Sequence, residues 1–175
     1  MTTPNKSGQP LVIREAIKED IPKLTQLHVV TWNATHPEEP KKPTYAGRES
    51  QWLQAFMTND NSWFCFVIAT NDGELIGFAK GLLEKDGSGC LNKLYLLEEY
   101  KKQGLGRKLL CSVANKFYTM GVKVMWVVTG PQSAACTFYE RFGGVRKPDT
   151  DPGIAVYIWR DLQKLIACCN GIVKH

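Results

Sequence analysis

The order of the apolar runs along the chain is the feature that most restricts its fold. Three runs follow one another over 63–70, 74–84 and 90–97, each joined to the next by a short turn of Asn, Asp, Gly and Ser. Strands joined by such short turns must pair antiparallel. The last of them and the next run, 122–129, are instead separated by a helical pattern over 106–120, which predicts a crossover and parallel neighbours. The sequence therefore predicts an α/β fold with a mixed sheet (α+β), antiparallel first and parallel later.

The length of the chain predicts one folded domain. Its 175 residues match the size of a single domain. We expect a flexible N-terminus over 1–10, one domain over 11–161, and a tail over 162–175 that can form a short amphipathic helix. Further predicted elements are a first strand over 11–17, a helix capped by Asp20, a proline-rich loop over 36–43, helices over 48–57 and 133–142, and a last strand over 153–160.

Composition excludes several classes of protein. Apolar residues make up 43% and charged residues 22% of the chain, as in globular domains. No run approaches 18 apolar residues and the N-terminus is polar, so we expect no membrane span, no secretion signal and a cytoplasmic protein. The six cysteines form no CxxC pair, which predicts reduced thiols and no metal site. The net charge of +5 favours an anionic small molecule over nucleic acid, since the basic patch is confined to one loop and helix start.

A strand, a glycine-containing loop and an amphipathic helix follow one another over 94–110. A helix start presents unpaired backbone N–H groups and the positive end of the helix dipole, which favour anions. Gly104 and Gly106 allow a ligand to approach the backbone. Four basic residues suit phosphate groups: Lys101, Lys102, Arg107 and Lys108. The dinucleotide fingerprint GxGxxG does not fit, because Leu109 stands at its third glycine, and the triphosphate loop GxxxxGK(S/T) has no match. The alternative is a glycine turn before a helix with a solvated basic face.

A second informative segment, 131–143, follows the strand over 122–129. Gly143 suits the end of a helix. Tyr139 places a phenol near the end of that helix, whose start lies beside the carboxyl end of the strand. The alternative for Tyr139 is a core aromatic residue packed with Phe138.

Together the two segments resemble the GCN5-related N-acetyltransferase (GNAT) family. Its first signature is a strand ending L-x-V followed by (Q/R)-x-x-G-x-(G/A), matched by Leu94-Tyr95-Leu96 and then 101–106. Its second signature, N-x-x-A-x-x-F-Y-E-x-x-G-F, is matched over 132–144, and the element order matches over 11–160. The resemblance implies the GNAT-like acyl-CoA N-acyltransferase fold, with antiparallel N-terminal strands and a splayed parallel strand pair at the cofactor site.

The resemblance implies acetyl-CoA as cofactor and direct acetyl transfer to a primary amine of a small molecule or peptide. It implies that the loop amides bind the pyrophosphate and that the strand backbone binds the pantetheine arm. Tyr139 is the implied general acid, since a phenol can protonate the departing thiolate. The implied cofactor-binding residues are Leu94, Tyr95, Leu96, Lys101, Lys102, Gln103, Gly104, Leu105, Gly106, Arg107 and Gln132.

The chain departs from the family pattern at several positions. Lys101 replaces Gln or Arg, Gln132 replaces Asn, and Gly144 replaces an aromatic residue. Many members carry a strand glutamate as base, and the matching positions here are Asn92, Lys93 and Val127. The missing glutamate keeps a second function open, an acyl-CoA-binding regulatory or sensor module with little turnover.

The base and the acceptor are left open by the sequence. Glu84 is the candidate base; His36, Glu38, Glu39 and a water chain are alternatives. Trp32, Tyr45 and Trp52 offer aromatic faces that can bind a cationic amine. The candidate acceptor-binding residues are Trp32, His36 and Tyr45. Glu38 and Glu39 favour a positively charged acceptor, although polyamines, aminoglycosides, amino acids and protein amines all fit. We expect His28 and His175 to be structural or disordered. The apolar tail allows a homodimer, and no nucleic-acid or membrane partner is expected.

Overall fold

The computed structural model describes residues 2–4, 8–148 and 151–171. Its strands are β1 (Thr2–Pro4), β2 (Pro10–Glu15), β3 (Trp63–Thr70), β4 (Leu75–Leu83), β5 (Gly89–Leu96), β6 (Met125–Thr129), β7 (Val145–Arg146) and β8 (Ala155–Trp159). Its α-helices are α1 (Ile21–Thr35), α2 (Tyr45–Met57), α3 (Leu105–Thr119), α4 (Ala135–Arg141) and α5 (Leu162–Cys169). Short 3-10 turns over Lys18–Asp20 and Glu98–Tyr100 precede α1 and α3.

The strands form a mixed sheet in the order β1-β2-β3-β4-β5-β6-β8-β7. β2 pairs antiparallel with β3, β5 pairs parallel with β6, and β8 pairs antiparallel with β6. The turn between β3 and β4 is closed by Gly73, whose N–H donates to Thr70 O over 3.0 Å and whose φ is +78°. The predicted fold class, antiparallel hairpins followed by a parallel crossover, is confirmed.

The chain divides into two compact units, 1–80 with 93–109 and 81–92 with 110–175. In the first unit, α1 and α2 pack on the sheet face formed by β3 and β4. The core cluster includes Leu24 and Leu27 of α1, Trp52 of α2 and Phe78 of β4.

Two helix starts differ from the sequence prediction for identifiable reasons. Asp20 does not cap α1 with its side chain. Its carboxylate accepts bonds of 2.7 and 2.8 Å from Arg14 and one of 2.8 Å from the Ile17 N–H, so Arg14 takes the oxygens that a cap would use. Helix α2 begins at Tyr45 rather than at 48, because the Thr44 hydroxyl accepts from the Gly47 N–H over 3.0 Å.

In the second unit, α3 and α5 supply buried apolar side chains. Phe117 of α3 and Leu165 of α5 are almost fully buried. A Cβ at Gly89 would lie 2.8 Å from the Phe117 ring, so the aromatic ring requires glycine there. Helix α5 lies in the segment 162–175, of which residues 172–175, with His175, are outside the described part. Strand β1 lies in the segment 1–10, of which residues 1 and 5–7 are likewise outside it.

Among the described residues, no helix combines the length and the apolar character needed to cross a bilayer. The same part of the chain has no group of three or more His, Cys, Asp or Glu side chains arranged to hold a metal ion.

Candidate active site

The glycine loop between β5 and α3 has a backbone shaped by two left-handed residues. After the 3-10 turn, Lys102 has a φ of +58° and Gly104 a φ of +79°. Nothing lies within 4 Å of a Cβ built on Gly104, so its backbone conformation, and not crowding, favours glycine. Helix α3 begins at the next residue, and its first turn contains no acidic side chain. The loop therefore ends in a helix start whose first amides have no intrahelical acceptor.

The positive charges of this loop are unequally available. Lys101 is engaged by Glu98 in an ion pair of 2.7 Å. Lys102 and Arg107 are exposed beside the helix start. Partial burial, and secondarily the charge of Arg107, lower the pKa of Lys108. Exposed cations and first-turn amides together form a donor set that fits a phosphate group.

Strand β5 presents different side chains on its two faces. Leu96 faces β4 at Gly77, where any Cβ would collide with the Leu96 side chain. The Tyr95 ring lies on the opposite face, with its centroid 5.6 Å from Phe78 and 6.0 Å from His28. The sequence groups Tyr95 with the cofactor-binding residues, but the structure directs its side chain toward α1 and α2. The backbone of Tyr95, between Leu94 and Leu96 on β5, is the part of this residue that can still contact a cofactor along the strand.

A buried cluster of rings, which we call the His28 cluster, lies on this face of the first unit. It contains His28, Trp52, Phe78 and Tyr95. The His28 centroid is 5.7 Å from Trp52 and 5.3 Å from Phe78. His28 is 1% exposed and Trp52 is 2% exposed. Neither His28 ring nitrogen nor Trp52 Nε1 has a hydrogen-bond partner within the described residues.

Three basic residues lie close enough to His28 to affect its pKa. Burial lowers the pKa of His28 to about 3, and the charges of Lys93, Arg48 and Lys80 lower it further in the same direction. The imidazole is therefore neutral at neutral pH. Lys80 Nζ lies 5.3 Å from the ring centroid of Trp52 and 5.5 Å from that of Trp63. The sequence predicts that His28 is structural or disordered, and it gives no sign of the three charges near its ring.

The structure brings two of the candidate acceptor-binding residues together and leaves the third apart. The rings of Trp32 and His36 stack with centroids 4.4 Å apart. Arg48 and Lys42 already lie 5.8 and 5.7 Å from the Trp32 ring centroid, so cations of the chain itself engage this ring. Tyr45 is exposed, and its hydroxyl donates to Pro22 O at 3.4 Å near the start of α1. Trp32 lies about 15 Å further along that helix.

The acidic candidates for the base lie in segments that connect strands or helices. Glu84 lies in the turn between β4 and β5, where its N–H donates to Ser88 O over 2.8 Å. Glu38 and Glu39 are exposed on the loop between α1 and α2. The assignment of Glu84 as the base, with Glu38, Glu39, His36 and a water chain as alternatives, stays a prediction.

In the second unit, Tyr139 lies in an aromatic cluster. It is 5% exposed, and its ring centroid lies 5.4 Å from Phe138, 5.9 Å from Tyr157 and 5.7 Å from Trp159. Gln132 is exposed in the turn before α4. The alternative drawn from the sequence, a core aromatic residue packed with Phe138, describes one of three ring contacts, and the role of Tyr139 as general acid stays a prediction.

Two further contacts in this unit account for parts of the second signature. The Tyr157 hydroxyl donates to Glu140 Oε1 over 2.6 Å. Burial, and secondarily this hydrogen bond, raise the pKa of Tyr157. A Cβ at Gly144 would lie 2.9 Å from Trp159. The Trp159 indole fills the space beside Gly144, and this explains why the aromatic residue of the family pattern is absent.

Comparison with known proteins identifies the class to which this fold and loop belong. Residues 13–144 match the model of the acetyltransferase (GNAT) family. The chain is 30% identical over 154 residues to the N-acetyltransferase YuaI of Bacillus subtilis, covering 83% of this chain and 86% of that protein. The chain therefore belongs to the GNAT family and is an N-acetyltransferase.

Solved structures share the fold at low sequence identity. The PaiA N-acetyltransferase of Thermoplasma acidophilum, solved with coenzyme A, superposes with a TM-score of 0.71 at 19% identity, covering 86% of this chain and 98% of that one. Spermidine N-acetyltransferase of Vibrio cholerae, solved with coenzyme A and spermine, gives 0.69 at 16% identity, covering 89% and 98%. Enzymes of this family use acetyl-CoA, and the donor set of the glycine loop fits its phosphates.

Proposed function

We propose that this N-acetyltransferase moves the acetyl group of acetyl-CoA directly to a primary amine of a small molecule or peptide. The observation that carries the proposal is the glycine loop, in which Lys102 and Gly104 turn the chain into the start of α3. We also propose that the protein is cytoplasmic, as its sequence predicts.

In this proposal, the glycine loop and β5 bind and orient acetyl-CoA. The amides of 102–107, with Arg107, hold the pyrophosphate at the helix start. The backbone of Leu94 and Leu96 pairs with the pantetheine arm, as the family resemblance implies. Acetyl-CoA supplies an acetyl group already activated as a thioester.

Proton movement completes the proposed reaction. The amine nitrogen bonds to the acetyl carbonyl carbon, the C–S bond breaks, and the sulfur leaves as a thiol. Tyr139 gives the sulfur its proton and becomes a phenolate. The proton lost by the amine goes to water, from which the Tyr139 phenolate regains a proton. We assign the amine proton to water because the positions of the family's strand glutamate hold Asn92, Lys93 and Val127 here, and Glu84, Glu38 and Glu39 are the alternative acceptors.

A thermal-shift series with acetyl-CoA, NAD and ATP at equal concentration tests the donor. A ligand at about 100 times its Kd adds roughly 2.7 kcal/mol, which for a chain of this size raises the Tm by roughly 5–10 °C. We expect that shift with acetyl-CoA. A larger shift with NAD or ATP would contradict the assignment of the loop.

Release of coenzyme A thiol with a set of amines then tests turnover. Amine-dependent release supports the enzyme. A large acetyl-CoA shift without release from any amine would favour the alternative of a regulatory acyl-CoA-binding module, which the missing strand glutamate leaves open.

A further inference from the structure

Two of the basic residues beside the His28 cluster, Lys80 and Arg48, have no matching negative charge within the described residues. Lys80 is partly buried between Trp52 and Trp63, and burial lowers its pKa. Among the residues that the structure describes, no carboxylate forms an ion pair with Lys80 or Arg48. The buried carboxylate of this unit, Asp20, is already bound by Arg14 at 2.7 Å. Partly buried cations without a counter-charge are costly, and an anionic ligand would remove that cost.

Buried polar atoms in and beside the cluster also lack hydrogen-bond partners within the described residues. Trp52 Nε1 and Arg48 Nε are buried donors with no acceptor within the described residues. His28 is in the same condition at both ring nitrogens. A neutral imidazole has one donor and one acceptor nitrogen. The cluster and Arg48 together therefore offer three N–H donors that an anion can use, and His28 offers one acceptor that suits an amine.

The cluster is placed beside the strand that the proposed function uses. Tyr95 is the neighbour of Leu94 and Leu96 on β5, and its ring belongs to the cluster. Lys93 lies two residues before Tyr95 and so on the same face of the strand, in agreement with its effect on the pKa of His28. An acceptor bound on this face lies against β5, to whose backbone the proposed function assigns the pantetheine arm.

We propose that the acceptor is an amine that also carries an anionic group, a carboxylate or a phosphate ester, and that Lys80 and Arg48 bind this group while His28 and Trp52 donate hydrogen bonds to it. This inference rests on the proposed function for the identity of the site. It selects against polyamines, which the same cations repel, and replaces the weak preference for a cationic acceptor drawn from Glu38 and Glu39.

The test compares matched amines that differ in one anionic group. Amino acids are compared with their carboxamides, and O-phosphoethanolamine with ethanolamine; spermidine is the polycation. Binding is measured by thermal shift in the presence of coenzyme A, and turnover by thiol release. We expect kcat/KM to be about ten-fold or more higher for the anionic member of each pair. The same member should give the larger increase in Tm. The two pairs distinguish a carboxylate from a phosphate.

Variants of one lysine assign the effect to the cluster. Lys80→Met keeps most of the length of the side chain and removes its charge. It should reduce the anionic preference about ten-fold, mainly through KM, while the acetyl-CoA shift is kept. Lys23→Met removes an exposed lysine of α1 that pairs with Glu74 and should leave the preference intact. If Lys80→Met does not fold, Arg48→Gln serves in its place.

The binding readout separates the two proposals. Equal shifts with anionic and neutral amines, a larger shift with spermidine, or an unchanged preference in Lys80→Met would overturn the anionic acceptor, whatever the turnover. Selective binding of the anionic amine without thiol release from any amine would support the anion site and overturn the transfer reaction.

Discussion

Tyr157 donates a 2.6 Å hydrogen bond to Glu140, which joins strand β8 to helix α4 in the second unit. Tyr157 is fully buried, whereas Glu140 is exposed. Because a hydrogen bond to a charged group contributes more than a neutral one, Tyr157→Phe should lower the free energy of unfolding by about 1–2 kcal/mol. Urea denaturation at pH 7 measures the change. A double-mutant cycle with Glu140→Gln should show coupling, and strictly additive effects would contradict a direct contribution of this bond.

Backbone conformation at Gly104 should matter for the cofactor. Gly104→Ala places a Cβ on a residue with a φ of +79°, which costs about 1–2 kcal/mol in the loop, and should weaken acetyl-CoA binding measured by calorimetry. Gly121→Ala is a matched control, since Gly121 has a φ of +81° and equally open surroundings. Both variants should lose similar stability. An equal loss of acetyl-CoA affinity in the two would contradict a specific role for the loop.

Removal of the Tyr139 hydroxyl should separate binding from turnover. General-acid catalysis contributes about 100-fold or more, so Tyr139→Phe should lower kcat by that order while the Kd of acetyl-CoA stays nearly constant. Steady-state kinetics and calorimetry provide the two values. Tyr118→Phe, at an exposed tyrosine of α3, should change neither. Unchanged kcat in Tyr139→Phe would remove this residue from the proton transfer.

Protonation of His28 should destabilise the protein in mild acid. Its pKa is lowered to about 3 from an ordinary value of 6.5, so the unfolded chain binds this proton first as the pH falls. The stabilising contribution is full above pH 6.5 and is lost toward pH 3, with a slope of at most about 1.4 kcal/mol per pH unit. His28→Leu should flatten the pH dependence of urea unfolding between pH 6 and 4. An NMR titration that places the His28 pKa near 6.5 would contradict the prediction.

The ionisation of Asp20 should affect the stability of the protein at a lower pH than that of His28. The hydrogen bonds from Arg14 lower its pKa below the usual 3.8. The contribution of a carboxylate with a depressed pKa is present above its unfolded value and is lost below it. The wild-type protein should therefore lose Tm below about pH 4, and Asp20→Asn should lose less over the same interval. Asp72→Asn, in the exposed turn before β4, should behave like the wild type; a parallel pH dependence for Asp20→Asn would contradict this assignment.

The features that sequence predicts best here depend on neighbouring residues in the chain. The hairpins, the crossover and the glycine loop follow from turn residues and apolar spacing over short windows, and the structure has them in the predicted order. The start of α2 depends on a single cap, Thr44, with no acidic residue three positions later to complete a capping box. The cap predicted at Asp20 is wrong because Arg14, six residues away, competes for its oxygens.

The His28 cluster could not be predicted from the sequence, for a different reason. Its rings come from positions 28, 52, 78 and 95, which only the packing of two helices on two strands brings together. The shift in the pKa of His28 arises from burial and from three charges on other elements. A lone histidine on a helix carries no local signal of such surroundings.

The alternation of side chains along β5 has a consequence for how this protein can diverge. Leu96 faces Gly77, while Tyr95 faces α1 and α2. In our assignment, donor recognition uses the backbone of the strand and acceptor recognition uses one set of alternate side chains. Acceptor choice can therefore drift by single substitutions at positions such as 93 and 95 without a change of acetyl donor. Duplicated copies of such a gene can acquire new acceptors while the chemistry they perform is inherited intact.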